Sequence, residues 1–127
     1  MITSKLISVA TTPTQVFYAT SNGLAVGAGS PAAVAQPTAI TTLILCNKET
    51  PSLTNELSND VDVSIYLARD TIGASSSTNI IVSNLTIPAG ETVFFSDERI
   101  ILDGADVIWV EASDANRLVV TVSSLPV

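Results

Sequence analysis

The constraint that bears hardest on this chain is its pattern of short apolar runs, alternating with hydroxylated or acidic residues and broken at regular intervals by turn-forming residues. In Val61-Asp62-Val63-Ser64-Ile65-Tyr66-Leu67, Val61, Val63, Ile65 and Leu67 fall on one side and Asp62, Ser64 and Tyr66 on the other. That period of two belongs to a half-buried antiparallel strand. Residues 117–125 repeat it, with Leu118, Val120 and Val122 inward against Val119, Thr121 and Ser123. No segment sustains a helical period. The 15 Ser and 15 Thr, together with abundant Val and Ile, favour strands further.

Further strands are predicted over residues 2–10, 15–20, 38–47, 80–86, 91–95, 99–102 and 107–112. Turn chemistry separates them. In Ile87-Pro88-Ala89-Gly90-Glu91 the proline sets one backbone angle and the glycine accepts a positive φ, as a tight reversal requires. Asp103-Gly104 between two apolar runs signals a hairpin or tight loop, and Ser113-Asp114-Ala115-Asn116 is a polar connection. Eight or nine such strands in 127 residues predict one all-β domain spanning residues 1–127, an antiparallel sandwich or jelly roll. Its expected core includes Val61, Val63, Ile65, Leu67, Leu118, Val120, Val122, Trp109 and Phe94.

Three stretches do not alternate. Residues 22–37 are small and uncharged and read as an extended arm or loop, free to pack on a neighbouring subunit. Residues 48–60 and 71–78 are polar and read as exposed loops at strand ends.

The inventory of reactive groups is short. There is no His and a single Cys, which excludes a disulfide framework, a His- or Cys-based zinc site and any Ser-His or Cys-His pair within the chain. Cys46 reads as a buried, inert thiol in a protein made in a reducing cytosol. Asp97-Glu98 and Asp103-Asp106 are the nearest approach to a metal loop, but they lack the five or six oxygen donors of a calcium site and read as solvated turns. The same acids make no glycosidase, because aromatic residues to line a sugar cleft are only 5% of the chain. Gly23, Gly27 and Gly29 have neither the lysine nor the following helix of a phosphate loop. Asn84-Leu85-Thr86 matches a glycosylation acceptor by chance. No catalytic, cofactor-binding or metal residues are therefore assigned, no cofactor is expected, and the chain is not expected to be an enzyme.

Twelve acids against five bases give a net charge of −7, which disfavours nucleic acid as a partner. The longest apolar runs, such as Val107-Ile108-Trp109-Val110, are far too short to cross a bilayer, so no membrane partner is expected. Residues 1–10 read as a first strand rather than a secretory signal.

A set of segments carries a resemblance. Met1-Ile2-Thr3-Ser4-Lys5-Leu6-Ile7, Leu43-Ile44-Leu45-Cys46-Asn47, Leu85 through Pro88-Ala89-Gly90-Glu91-Thr92, Ile101-Leu102-Asp103-Gly104-Ala105-Asp106-Val107-Ile108, Glu111-Ala112-Ser113 and the closing Val120-Thr121-Val122-Ser123 together resemble small virion structural proteins of tailed bacteriophages, notably those infecting cyanobacteria. The resemblance spans most of the chain and rests on turns and strands. It implies a β-sandwich made in the host bacterial cytoplasm and resident in the virion, in many copies on capsid, neck or tail, with no catalytic residues to carry over. The chain departs from shorter members at residues 22–35 and 48–60, where its particular contacts are expected. The expected role is capsid decoration or cementing. A neck, collar or tail part is the alternative, as is a module recognising a host surface or glycan. The expected partners are further copies of the chain, as a trimer or ring, and virion proteins such as the major capsid protein.

If the alternation over 61–67 defines the core, Ile65→Asp will prevent folding. An unpaired buried charge costs several kcal/mol, comparable with a domain's entire stability of about 5–15 kcal/mol. Loss of the cooperative thermal transition, followed by far-ultraviolet circular dichroism, is the expected result.

Overall fold

The computed structural model describes residues 1–55, 58–69, 76–97 and 99–127. These described residues form nine strands: β1 (Ile2–Leu6), β2 (Thr14–Tyr18), β3 (Thr38–Asn47), β4 (Val61–Ala68), β5 (Ile80–Ile87), β6 (Thr92–Phe95), β7 (Ile100–Leu102), β8 (Val107–Ala112) and β9 (Leu118–Pro126). Each corresponds to a run expected from the alternation. Among the described residues there is no helix.

The strands make two antiparallel sheets. One has the order β1-β9-β3-β6, with β7 also on β3, and the other has the order β2-β8-β4-β5. Counting β6 and β7 as one interrupted strand, the pairs β4·β5, β3·β6/β7, β2·β8 and β1·β9 nest around a single central connection, and alternate pairs go to alternate sheets. This is the strand order of a jelly roll. The ladders β3·β9 and β4·β8 join the pairs within each sheet.

The inner faces meet in one core. Leu43, Leu45, Leu118 and Val120 from the first sheet face Phe17, Val63, Ile65, Ile108 and Val110 from the second. Val61 and Val122 are also buried, as the alternation predicts, and Leu67 packs at the margin. Two expected core residues lie elsewhere. Phe94 is 62% exposed, because Val93 and Phe95 register with Leu45 and Leu43 and turn the intervening side chain outward with Ile44. Trp109 is half-buried, outside the core cluster, because Ile108 and Val110 take the inward positions on β8. Cys46 likewise is half-buried rather than buried, between Val119 and Thr92 on the outward side.

Turns behave partly as expected. Glu91 N–H donates to Pro88 O at 3.1 Å, and Gly90 sits at φ +78°. In the other turn Asp106 N–H donates to Asp103 O, but the positive φ of 70° falls on Ala105, not on Gly104. Gly104 answers a different need: a Cβ there would lie 3.2–3.3 Å from the backbone of Ala35 and Gln36.

Residues 22–35 are not an extended arm. Gly27 N–H donates to Ala33 O and Ala33 N–H to Ala28 O, while Asn22 Nδ2 donates to Ala28 O and Pro31 O. A bridge between Thr20 and Ala35 closes the base, and Ala33 is buried. Small residues permit this tight folding back, which gives a compact loop of the omega kind.

A polar knot holds one end of the sandwich. Asn47, fully buried at the end of β3, donates from Nδ2 to Asn59 O at 2.8 Å and Ile87 O at 2.9 Å, and its Oδ1 accepts from Glu49 N–H. It thereby ties the first sheet to the loop before β4 and to the end of β5. Arg117 fastens the same loop through Asp60 O at 2.9 Å and an ion pair of 3.5 Å with Asp114. Asn47→Leu strands the two carbonyls. It is expected to cost about 2–4 kcal/mol in urea unfolding, against under about 1 kcal/mol for Thr41→Val at the exposed bulge of β3.

Candidate interaction surfaces

Surfaces rather than pockets distinguish this molecule. The five strands of the first sheet contain one charged residue, Lys5. Lys5 registers with buried Val120, so its stem lies on the inner side, and its ammonium donates to Gln15 O of β2 at 3.3 Å. No charged side chain of these five strands therefore lies on the outer face of the sheet, and Arg99, just before β7, borders it at the edge.

Its residues follow from register. One row across the sheet reads Leu6, Val119, Cys46 and Thr92, and the next reads Ser4, Thr121, Ile44 and Phe94. Beyond them lie Ile2 and, near the other end, Leu125, Ala39 and Ile101. Ile2, Leu6, Phe94, Ile101 and Leu125 are all exposed large apolar side chains. Four hydroxyls on the face are paired: Ser4 and Thr121 are 3.0 Å apart, and Thr41 and Ser123 are 3.0 Å apart. Contiguous apolar exposure of this extent is rare on a face that meets only water.

At the edge of the face, the gap between β6 and β7 stands opposite the β3 bulge at Thr41 and opens a notch of about 260 Å³, with Arg99 on its wall. An apolar cavity of about 370 Å³, lined by Leu67, Ile81, Val82, Phe95 and Ile100, enters between the sheets. It lies at the end where β4 connects to β5.

The second sheet is built differently. Gln15, Trp109 and Tyr66 form a row across β2, β8 and β4. Charged residues accompany them. Tyr66 Oη donates to Glu111 Oε1 at 3.2 Å, and Asp62 accepts from Thr86 at 2.6 Å. Trp109 Nε1 is buried without a hydrogen-bond partner. Ser64, buried at a bulge, accepts from Asn84 N–H at 3.1 Å, where Asn84 adopts φ +51°.

Asp103 and Asp106 stay loop features. Asp103 N–H donates to Asp106 Oδ2 at 3.1 Å within the turn. Of the Asp97-Glu98 pair, Glu98 lies outside the described residues, as do residues 56–57 and 71–75 of the two polar loops. The described residues of those loops are mostly exposed, with Leu53 fully so. Among the described residues, no three His, Cys, Asp or Glu side chains gather as metal ligands, and no helix is long and apolar enough to cross a membrane.

Sequence reasoning placed Ile44, Thr121 and Val119 correctly as strand residues but missed the face they form. The signal was available in the near-absence of charge from the runs 2–6, 38–47, 92–95, 100–102 and 118–126. Which runs share a sheet was not. Compared with known proteins, the chain matches no protein-family model and no curated protein sequence.

Burial raises the Tyr66 hydroxyl above the ordinary tyrosine range, and the negative charge of Glu111 and its hydrogen bond raise it further. The unfolded chain therefore ionises first, so this contribution to stability is complete below a pH of about 10 and is lost as pH climbs through the folded value. Absorbance titration at alkaline pH is expected to show a late phenolate that Tyr66→Phe removes and Glu111→Gln moves to lower pH.

Proposed function

We propose that this protein is a structural component of a tailed-phage virion, with capsid decoration or cementing as its role. The observation that supports this reading best is the outer face of the first sheet, whose strands place no charged side chain there and whose hydroxyls of Ser4, Thr121, Thr41 and Ser123 are already paired. A surface of that kind loses little when water is removed and gains from every apolar group it covers. It suits a protein whose work is lasting contact.

The jelly-roll strand order accords with the same reading, since viral capsid domains use it. Lectin domains use it too, so the fold alone does not choose. The net charge of −7 suits a component on the outside of a particle, held off the genome. Repetition over a shell lets individually modest contacts act together. A neck, collar or tail position uses the same contacts in fewer copies.

The row of Gln15, Trp109 and Tyr66 on the second sheet favours one other reading, recognition of a host-surface glycan, because sugars stack on such aromatic groups.

Quantitative protein analysis of purified particles of the encoding phage tests the proposal. Closed symmetry leads to an expectation of hundreds of copies per particle for shell decoration, and about six, twelve or a small multiple for neck or tail. Absence from particles, with saturable quenching of Trp109 fluorescence by a soluble glycan, overturns it in favour of recognition.

A further inference from the structure

We infer that two copies of this chain pack face to face through the outer surface of the first sheet, about a two-fold axis running along the strands between β9 and β3. The inference goes beyond the virion reading and does not depend on it.

Charge selects the occupant. Each copy carries −7, so two copies repel wherever their acids approach. The described acids occupy the loops and the second sheet, at Asp62 and Glu111 among the strands. The first sheet offers a face whose strands place no charged side chain outward, so two like-charged chains can meet there with only the cationic Arg99 at the margin. A strongly basic partner, the other obvious complement of an acidic protein, would find nothing to pair with on this face.

Area permits it. The 31 residues of its strands, at about 3.4 Å per residue and about 4.8 Å between strands, give a face of about 500 Å² per copy. The pair would bury about 1,000 Å², which meets the roughly 1,000 Å² that a specific interface requires. Desolvation is inexpensive, because Ser4 is bonded to Thr121 and Thr41 to Ser123 before the second copy arrives.

Shape fits the stated axis. A rotation about a line along the strands lays the β1 edge of one copy over the β6/β7 edge of the other. Ser4 and Phe94 occupy the same row at opposite edges, through the pairs Ser4 with Thr121, Thr121 with Ile44 and Ile44 with Phe94. The largest side chain of the face, Phe94, thus falls on Ser4 of the second copy, with that copy's Ile2 and Leu6 on either side. The contact is isologous and occurs twice, so the dimer is closed. Two facing sheets aligned within about 30° is the ordinary way for such surfaces to pack.

Sedimentation velocity across roughly 1–100 µM tests the inference. Wild type is expected to move from monomer to dimer over that range, and Phe94→Glu to remain monomeric, with circular dichroism and melting like wild type since Phe94 is exposed. Ser4→Lys alone is also expected to weaken the dimer. The double variant F94E/S4K restores it, because each glutamate then meets a lysine of the second copy. Within one copy the two positions lie three strand spacings apart, about 14 Å, so they cannot pair there. Ser83→Glu on β5, in the other sheet, leaves the dimer unchanged. A monomeric wild type at 100 µM, or an oligomer indifferent to Phe94→Glu, overturns the inference. Either result leaves the copy number in particles, and with it the virion reading, to be judged separately.

Discussion

The ladder between β3 and β9 is the contact on which the architecture rests. From Thr38 opposite Pro126 to Asn47 opposite Leu118, it joins the middle of the chain to its end. Without it the first sheet would be two separate pairs, β1·β9 and β3·β6/β7, each too narrow to hide an apolar side. A two-stranded ribbon is marginal in water, whereas four strands backed by a second sheet bury a shared core. The neighbouring ladder between β1 and β9 brings residues 1 and 124 together: the amino group of Met1 donates to Ser124 O at 2.7 Å. Closing so long a loop is entropically unfavourable, but the cost grows only slowly with length and the nested pairs inside it shorten what remains.

The irregularities of the sandwich follow from fitting this ladder to its neighbours. β3 carries an extra residue at Thr41, just where β6 gives way to β7 on its other side. β4 and β5 slip register around Ser64, and the buried hydroxyl fills the gap by accepting from Asn84 N–H. Asn47 does comparable work at the end of β3, supplying both donors and an acceptor where three segments converge. Buried polar groups persist in such a core only when fully paired, and Asn47 is.

The two sheets divide the chemistry between them. One shows water a charge-free mixture of apolar and mutually bonded hydroxyl groups. The other shows aromatic residues accompanied by carboxylates. An acidic protein with one neutral face has a built-in direction of association, because repulsion acts everywhere except there. The proposed assembly role and the proposed pairing both draw on that asymmetry.

What the sequence determined by itself was the class of structure and most of its parts. Alternation at Val61, Val63 and Ile65 and at Leu118, Val120 and Val122 can satisfy only a one-sided strand, since a single-residue slip would expose the whole apolar set. Pro88 and Gly90 likewise dictate their turn locally. Where the signal was symmetrical, tertiary structure decided. Phe94 and Phe95 are equivalent in sequence, and only registration of Val93 with Leu45 sends Phe94 outward. Asp103-Gly104 marks a tight loop locally, yet the approach of Ala35 and Gln36 is what demands a glycine there. The small residues of 22–35 permit either an extended arm or a compact loop, and the side chain of Asn22 settles the matter through bonds to carbonyls several residues away. The uncharged face is the clearest case. The scarcity of charge, a single lysine in five strands, is written in their own residues, but that these strands lie side by side follows from pairings between distant segments, which no local pattern encodes.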